Sequence, residues 1–316
     1  MEHSMSFSSL WQQFFPPAPS FTEKDVTPGS GAGKVFIVTG ANAGIGLALV
    51  KILYPTGATI YLAGRSVDKT QKAIAEITSL SSPATPAKLK ILQLDLADLA
   101  SVKAAAASVA SQETRLDILW NNASTNLPGS NCVAPLLFTE ELLPLLQAAA
   151  KSAPKDRVRV IWTGSLHIDM TAPKVGVDFT RIEDAANLTV TRDDYAASKA
   201  GNYFLATEAA RRWGASGVIS VCQNPGNLYT GMYDNEPALL MFFLKRFVLY
   251  ETKYGAYTML FAGLSSEVNE SSNGAYIWPW GRIRPLPRAD ILEAVSNGRA
   301  AKFWEWCERH GQSIPS

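Results

Sequence analysis

The sequence reads as an α/β chain with one doubly wound domain, a seven-stranded parallel sheet carrying helices on both faces. Three observations lead there. Short Val/Ile/Leu-rich runs alternate with longer helix-period stretches, the first run ends on a glycine cluster, and the alternation crosses the middle of the 316-residue chain without a linker. Runs that are apolar at every residue are what strands buried on both faces need, and helices between them imply right-handed βαβ crossovers. A length prior of about 150 residues per domain would give two domains. The unbroken rhythm argues for one.

Residues 1–33 are rich in Pro, Ser and Gly and end in "PGSGAGK", which predicts an arm rather than a packed unit. The domain then runs over 34–286. "KVFIVT" (34–39) is the first strand and "GIGLALVKILY" (44–54) its helix; "ATIYLA" (58–63) precedes "VDKTQKAIAEITSL" (67–80). "KLKILQLDL" (88–96) precedes an alanine-rich helix near 98–111, and "LDILWNNA" (116–123) a long helix near 131–152. "RVRVIWT" (157–163) and "GVISVCQ" (217–223) continue the series around a helix near 194–213, with "GAYIW" (274–278) as the seventh strand. A substrate loop or lid is expected at about 227–252, and a helical extension at 287–316, where "RADILEAVSNGRAAKFWEWCERHG" reads as a helix carrying Phe303, Trp304 and Trp306.

Composition narrows the function. With 29 basic and 28 acidic residues the net charge is +1, and no basic stripe points to nucleic acid. Cys132, Cys222 and Cys307 are far apart, odd in number and without a CxxC, as expected of free buried thiols in a reducing, cytoplasmic compartment. His3, His167 and His310 are too scattered for a metal site. The first residues lack a secretory pattern, and no segment reaches the roughly 18 uninterrupted apolar residues of a membrane span.

The first strand empties into "TGANAGIG" (39–46), which places Gly40, Gly44 and Gly46, with Asn42 and Ile45 between them, between a strand and a helix. Side chains at the glycines would keep a phosphate from the helix's first N–H groups, where the dipole places about half a positive charge. In this context the pattern predicts dinucleotide binding. An acid about 20 residues on would hold the ribose 2′-hydroxyl of NAD. Counting from Gly44 reaches Gly64, then Arg65, and the first acid is Asp68. A guanidinium there favours a 2′-phosphate, hence NADP(H). Asp95 ends the third strand, placed either to accept from an adenine amino group or to cap the next helix. Asn122 and Ala123, in "NNA", would let the backbone lie close to the adenosine ribose.

"TGANAGIG", "NNA", Ser165, "YAASK" (195–199) and "NPG" (224–226) occur in that order at strand ends. The chain thereby resembles the short-chain dehydrogenase/reductase family over roughly residues 20–310. Within it, the chain is most similar to the branch of retinol-dehydrogenase-like and WW-domain-oxidoreductase-like members with fungal relatives in specialised metabolism. The resemblance implies a Rossmann domain and a catalytic set of Asn131, Ser165, Tyr195 and Lys199. Lys199 falls four residues after Tyr195, on the same helix face. A free tyrosine titrates near 10, and a cation one turn away stabilises the phenolate, each unit needing about 1.4 kcal/mol. Tyr195 would then pass a proton to a carbonyl oxygen or take one from an alcohol. By the resemblance, Lys199 also bonds the nicotinamide ribose, Ser165 the substrate oxygen, and Asn131 a water that links the lysine to solvent. Pro225 and Gly226 would turn the chain beside the nicotinamide, and Thr230 would contact the carboxamide or pyrophosphate.

"PALLMFFLKRFVLY" (237–250) leaves three readings open: a helix packed on the body, a hydrophobic lid, or peripheral membrane contact. A lid favours a lipophilic small molecule. The 30 residues between Ser165 and Tyr195 predict an extra loop, 168–192, rimming the pocket. The helices near 131–152 and 194–213 are those that often pair subunits in the family, so a homodimer stays open, with the long C-terminal part able to block one such interface. The expected activity is NADP(H)-dependent interconversion of a ketone or aldehyde and an alcohol. The alternatives are an NADP(H)-binding regulatory or scaffold protein, or a family enzyme that reduces an imine or C=C bond.

Overall fold

A computed structural model describes residues 7–124, 129–183, 192–229 and 249–312. Eight strands form one sheet in the order β3-β2-β1-β4-β5-β6-β7-β8. They are β1 (Val35–Thr39), β2 (Thr59–Gly64), β3 (Lys88–Gln93), β4 (Ile118–Asn121), β5 (Val158–Thr163), β6 (Val218–Gln223), β7 (Tyr276–Trp278) and β8 (Arg282–Ile283). Seven strands are parallel, as the apolar runs predict. The eighth is a two-residue antiparallel edge that pairs Ile283 with Ile277, too short to show as a period in the sequence. Chain order reverses between β1 and β4, and in an open parallel sheet the ligand crevice lies at the carboxyl ends of the strands beside such a reversal.

Each strand is flanked as its sequence demands. Every residue of β1, β4, β5 and β6 is buried. One face is covered by α2 (Gly44–Leu53) and α3 (Val67–Leu80), and later by α9 (Thr252–Leu264). The other is covered by α4 (Leu99–Ala110), α5 (Ala134–Ala150) and α8 (Arg192–Trp213). The run Asn131–Ala150 is long and apolar enough to cross a membrane by length and composition alone, yet most of it is buried in this core. Two short helices, α6 (His167–Met170) and α7 (Phe179–Glu183), follow β5.

Three further differences from the sequence reading concern helices. The opening segment carries a helix, α1 (Phe7–Phe14), whose Gln13 is only 1% exposed. The C-terminal stretch is two helices, α10 (Ala289–Ser296) and α11 (Arg299–Gln312), because Gly298 takes φ +80° and ends the first. The run leading into α5 starts as a wide π turn, Gly129–Val133, which carries Asn131.

Candidate active site

The glycine turn is built for a close anion. Gly44 adopts φ +57°, and a Cβ added there would meet nothing within 4 Å. Gly46 is needed for a different reason, since its Cβ would sit 2.5 Å from the Gly40 carbonyl oxygen. The α2 N-terminus has Ala43 at its cap position with no side-chain hydrogen bond, whereas Ser66 and Asp98 cap α3 and α4. Its first N–H groups are thus left for a ligand, as a phosphate requires.

A cleft of about 350 Å³ opens beside this turn. Gly40, Asn42, Ile45, Arg65, Asp95, Asn122 and Ala123, all expected from the sequence, line it. Arg65 is exposed and has no hydrogen bond or ion pair among the described residues, so its guanidinium is uncommitted over the cleft. Asp95 does not cap α4, because Asp98 does. One Asp95 oxygen accepts from the Ala97 N–H at 3.0 Å, and the residue stays on the cleft wall. Thr39, which the sequence reading passed over, ties the wall together. Its hydroxyl donates to the Trp120 carbonyl at 3.2 Å and accepts from the Asn122 and Ala123 N–H groups, each at 2.9 Å. Its signal in the sequence was its place as the last residue of the first strand and the first of "TGANAGIG".

The second half of the groove lies over β5 and β6. Helix α8 carries Tyr195, partly buried, and Lys199, which is 1% exposed. The Lys199 ammonium stands 5.5 Å from the Tyr195 ring centroid and donates to the Thr163 carbonyl at 3.1 Å. Asn202 donates to the same oxygen at 2.9 Å, which fixes the end of β5 to α8. Lys199 has three donor protons, of which the Thr163 carbonyl takes one. Ser165 lies two residues past β5, where its hydroxyl accepts from the His167 N–H at 3.2 Å. The His167 ring meets the Tyr195 ring edge-on at 5.5 Å, so the Ser165 turn and the Tyr195 helix are in contact.

Asn131 is 2% exposed and donates to the Ser198 hydroxyl at 2.9 Å, and Ser198 donates to the Tyr195 carbonyl at 2.8 Å. The asparagine therefore braces α8 at the residue directly before Lys199. Cys132 beside it is held as a neutral thiol: burial pushes it up to about 12 against the pull of Lys199, and it donates to the Ser198 carbonyl. Pro225 and Gly226 follow β6, with the Gly226 N–H donating to Asn224 at 3.0 Å. In the 168–192 stretch, Arg181 of α7 pairs with Asp194, next to Tyr195, at 2.5 Å, anchoring that stretch to α8. Thr230 and most of the 237–250 segment lie outside the described residues, as does 184–191. No cluster able to hold a metal occurs among the described residues.

An uncapped helix start beside a polar cleft, with a buried lysine facing a tyrosine on a helix of the same sheet, is the layout of a dinucleotide-dependent oxidoreductase. Comparison with known proteins agrees. The family model for short chain dehydrogenases matches residues 34–142. A short-chain dehydrogenase/reductase of Pestalotiopsis fici is 63% identical, with 96% of this chain and 98% of that protein covered. Another, from Phomopsis amygdali, is 41% identical over 96% of this chain and 97% of that one. The chain belongs to the short-chain dehydrogenase/reductase family. Among solved structures, NADPH-bound carbonyl reductase from chicken fatty liver shares the fold at TM-score 0.60 and 21% identity, covering 81% of this chain and all of that one. L-sorbose reductase from Gluconobacter frateurii, solved with NADPH and L-sorbose, does so at TM-score 0.60 and 20% identity, covering 79% of this chain and 96% of that one.

Proposed function

We propose that this oxidoreductase uses NADP(H) and interconverts a ketone or aldehyde and an alcohol on a medium-sized lipophilic substrate, in the reducing direction, within specialised metabolism. The observation that carries the reading is the arrangement on α8, with the buried Lys199 ammonium facing the Tyr195 ring from one turn away. When bound, the cofactor supplies the hydride. Tyr195 gives the proton to the substrate oxygen, Ser165 donates a hydrogen bond to that oxygen, and Lys199 holds the ribose that orients the reacting face. Asn131, through Ser198, keeps α8 in register with the π turn. The uncommitted Arg65 supports the 2′-phosphorylated dinucleotide, because a guanidinium gains paired bonds and charge neutralisation from a phosphate but only a single bond from a bare hydroxyl. Three buried free thiols suit a reducing, cytoplasmic setting.

The test is spectrophotometric. The purified full chain, given NADPH or NADH and a panel of aliphatic, aromatic and terpenoid carbonyls, should consume NADPH with at least one lipophilic member and prefer it to NADH. Consumption of neither nucleotide with any member of the panel would remove the carbonyl-reductase reading. An equal rate with NADH would remove the cofactor assignment alone.

A further inference from the structure

Helix α1 lies across the part of the strand ends that the dinucleotide cleft leaves uncovered. That cleft is lined from the carboxyl ends of β1, β2, β3 and β4. Among the described residues, side-chain bonds of α1 to the body go instead to residues that follow β5, β6 and β7. The Gln13 amide donates to the Asp169 carboxylate at 2.8 Å and accepts from the Asn224 side-chain amide at 2.8 Å. Arg282 donates to the Gln12 carbonyl at 2.9 Å, and Tyr250 donates to the Phe14 carbonyl at 3.2 Å. Asp169 belongs to α6, four residues past Ser165, and Asn224 opens the turn that continues through Pro225 and Gly226. Gln13, Asp169 and Asn224 are 1%, 4% and 1% exposed.

A segment that merely covered the sheet would place apolar side chains here. A buried amide is costly unless both of its ends are bonded, and bonding both ends fixes it against two specific partners. The partners are two separate loops, and each carries residues of the reacting half of the groove. Asn224 is itself fixed, its N–H donating to the Ile277 carbonyl at 2.8 Å and its side-chain oxygen accepting from Gly226. The α6 side is fixed through the Ser165 carbonyl, which accepts from the Tyr276 hydroxyl at 3.1 Å. The two loops leave adjacent strands whose ends are joined by the Gly164 N–H donating to the Gln223 carbonyl at 2.8 Å, and Gln13 adds a side-chain bridge further out, between Asp169 and Asn224.

We propose that Gln13 is a positioning residue for the carbonyl site, clamping the Ser165 loop to the Asn224–Gly226 turn, and that α1 is a wall of the substrate half of the groove. The inference rests on the oxidoreductase reading and adds a residue that the catalytic set does not contain. The clamp acts on where the substrate oxygen sits and leaves the adenosine cleft untouched.

The experiment compares the full-length wild type with Gln13→Met, which keeps the volume and loses both bonds, and with Asp169→Asn and the double variant. With a carbonyl that the wild type reduces, Gln13→Met should raise KM at least about tenfold, the weight of one buried hydrogen bond, while NADPH affinity by fluorescence titration stays within about twofold. The double variant should be little worse than Gln13→Met alone, since residues acting through one contact are not additive. Hydrogen exchange, which needs no substrate, should quicken at both 165–172 and 224–229 and stay unchanged in β1 and β4. Unchanged exchange at the two loops would overturn the clamp, whether or not turnover is found. Exchange that quickens uniformly, through β1 and β4, would reduce Gln13 to a packing residue and overturn it too. A wild type without carbonyl turnover but with the paired-loop exchange effect would keep the clamp and discard the reductase reading.

Discussion

At the scale of single residues, the groove is set by a few atoms with no room to spare. Gly46→Ala would drive a methyl into the Gly40 carbonyl, so we expect loss of about 1–3 kcal/mol of stability by overpacking and loss of dinucleotide binding, read by thermal melting and fluorescence titration. Arg65→Ser should weaken NADPH binding by about tenfold to a hundredfold, the range for hydrogen bonds to a charged partner, and leave NADH within about twofold. An equal loss for both nucleotides in titration would show that Arg65 does not read the phosphate. The glycines, Arg65 and the Tyr195–Lys199 pair were legible from spacing because each acts on a neighbour in sequence or at a strand end counted from the first. Gln13 was not legible, as its two partners lie 156 and 211 residues away. Asp95 was left between two roles, because which residue starts the next helix turns on one hydrogen bond that spacing does not resolve.

At the scale of elements, buried charge decides how the pieces are fastened. Arg159 on β5 is fully buried and donates to the carbonyls of Asp156, Ala262, Ser265 and Val268 at 2.7–3.0 Å, closing the C-terminal end of α9. Burial draws it down to about 10, still charged at neutral pH. Arg159→Met should cost about 3 kcal/mol or more in denaturant unfolding, by leaving buried carbonyls unpaired. Two acids give the stability a pH slope. Burial raises Asp169 to about 7, opposed by the Gln13 amide and the Arg288 charge. Burial and the neighbouring Glu308 raise Glu140 of α5 to about 8. Both pKa values are higher in the folded chain than in the unfolded one, so the folded state binds more protons between roughly pH 4 and 8. Stability must then fall as pH rises through that window. Melting temperature from these groups should be higher near pH 5 than near pH 8.5, and Asp169→Asn should flatten the lower part of the slope. A rise in melting temperature across the same window would contradict the burial assigned to them.

At the scale of the molecule, the parallel order of the first seven strands followed from alternating apolar runs, since strands buried on both faces have no other composition open to them. The edge strand and the docking of α1 did not, because they depend on contacts between distant parts of the chain, whereas Phe303, Trp304 and Trp306 marked the C-terminal helix for packing on the body. Helix α11 lies on α8 and α5, with Trp304 meeting Trp213 at 5.1 Å and Phe303 meeting Phe204 at 6.1 Å. Phe303, Trp304 and Trp306 are 3%, 1% and 6% exposed, so removing residues 299–316 would uncover the back of the catalytic helix. At about 1.5–3 kcal/mol per large apolar side chain, that loss rivals the whole stability of a typical domain, and the shortened chain should fail to accumulate in soluble form. On the proposed function, the arrangement from Asn131 through α8 to α11 holds one phenol against a reacting oxygen. The measurement that tests this most directly is steady-state turnover of Tyr195→Phe beside its NADPH affinity. The account predicts binding within about twofold of wild type and a fall of about a hundredfold or more in kcat, the weight of a general acid. Turnover near the wild-type rate would contradict it.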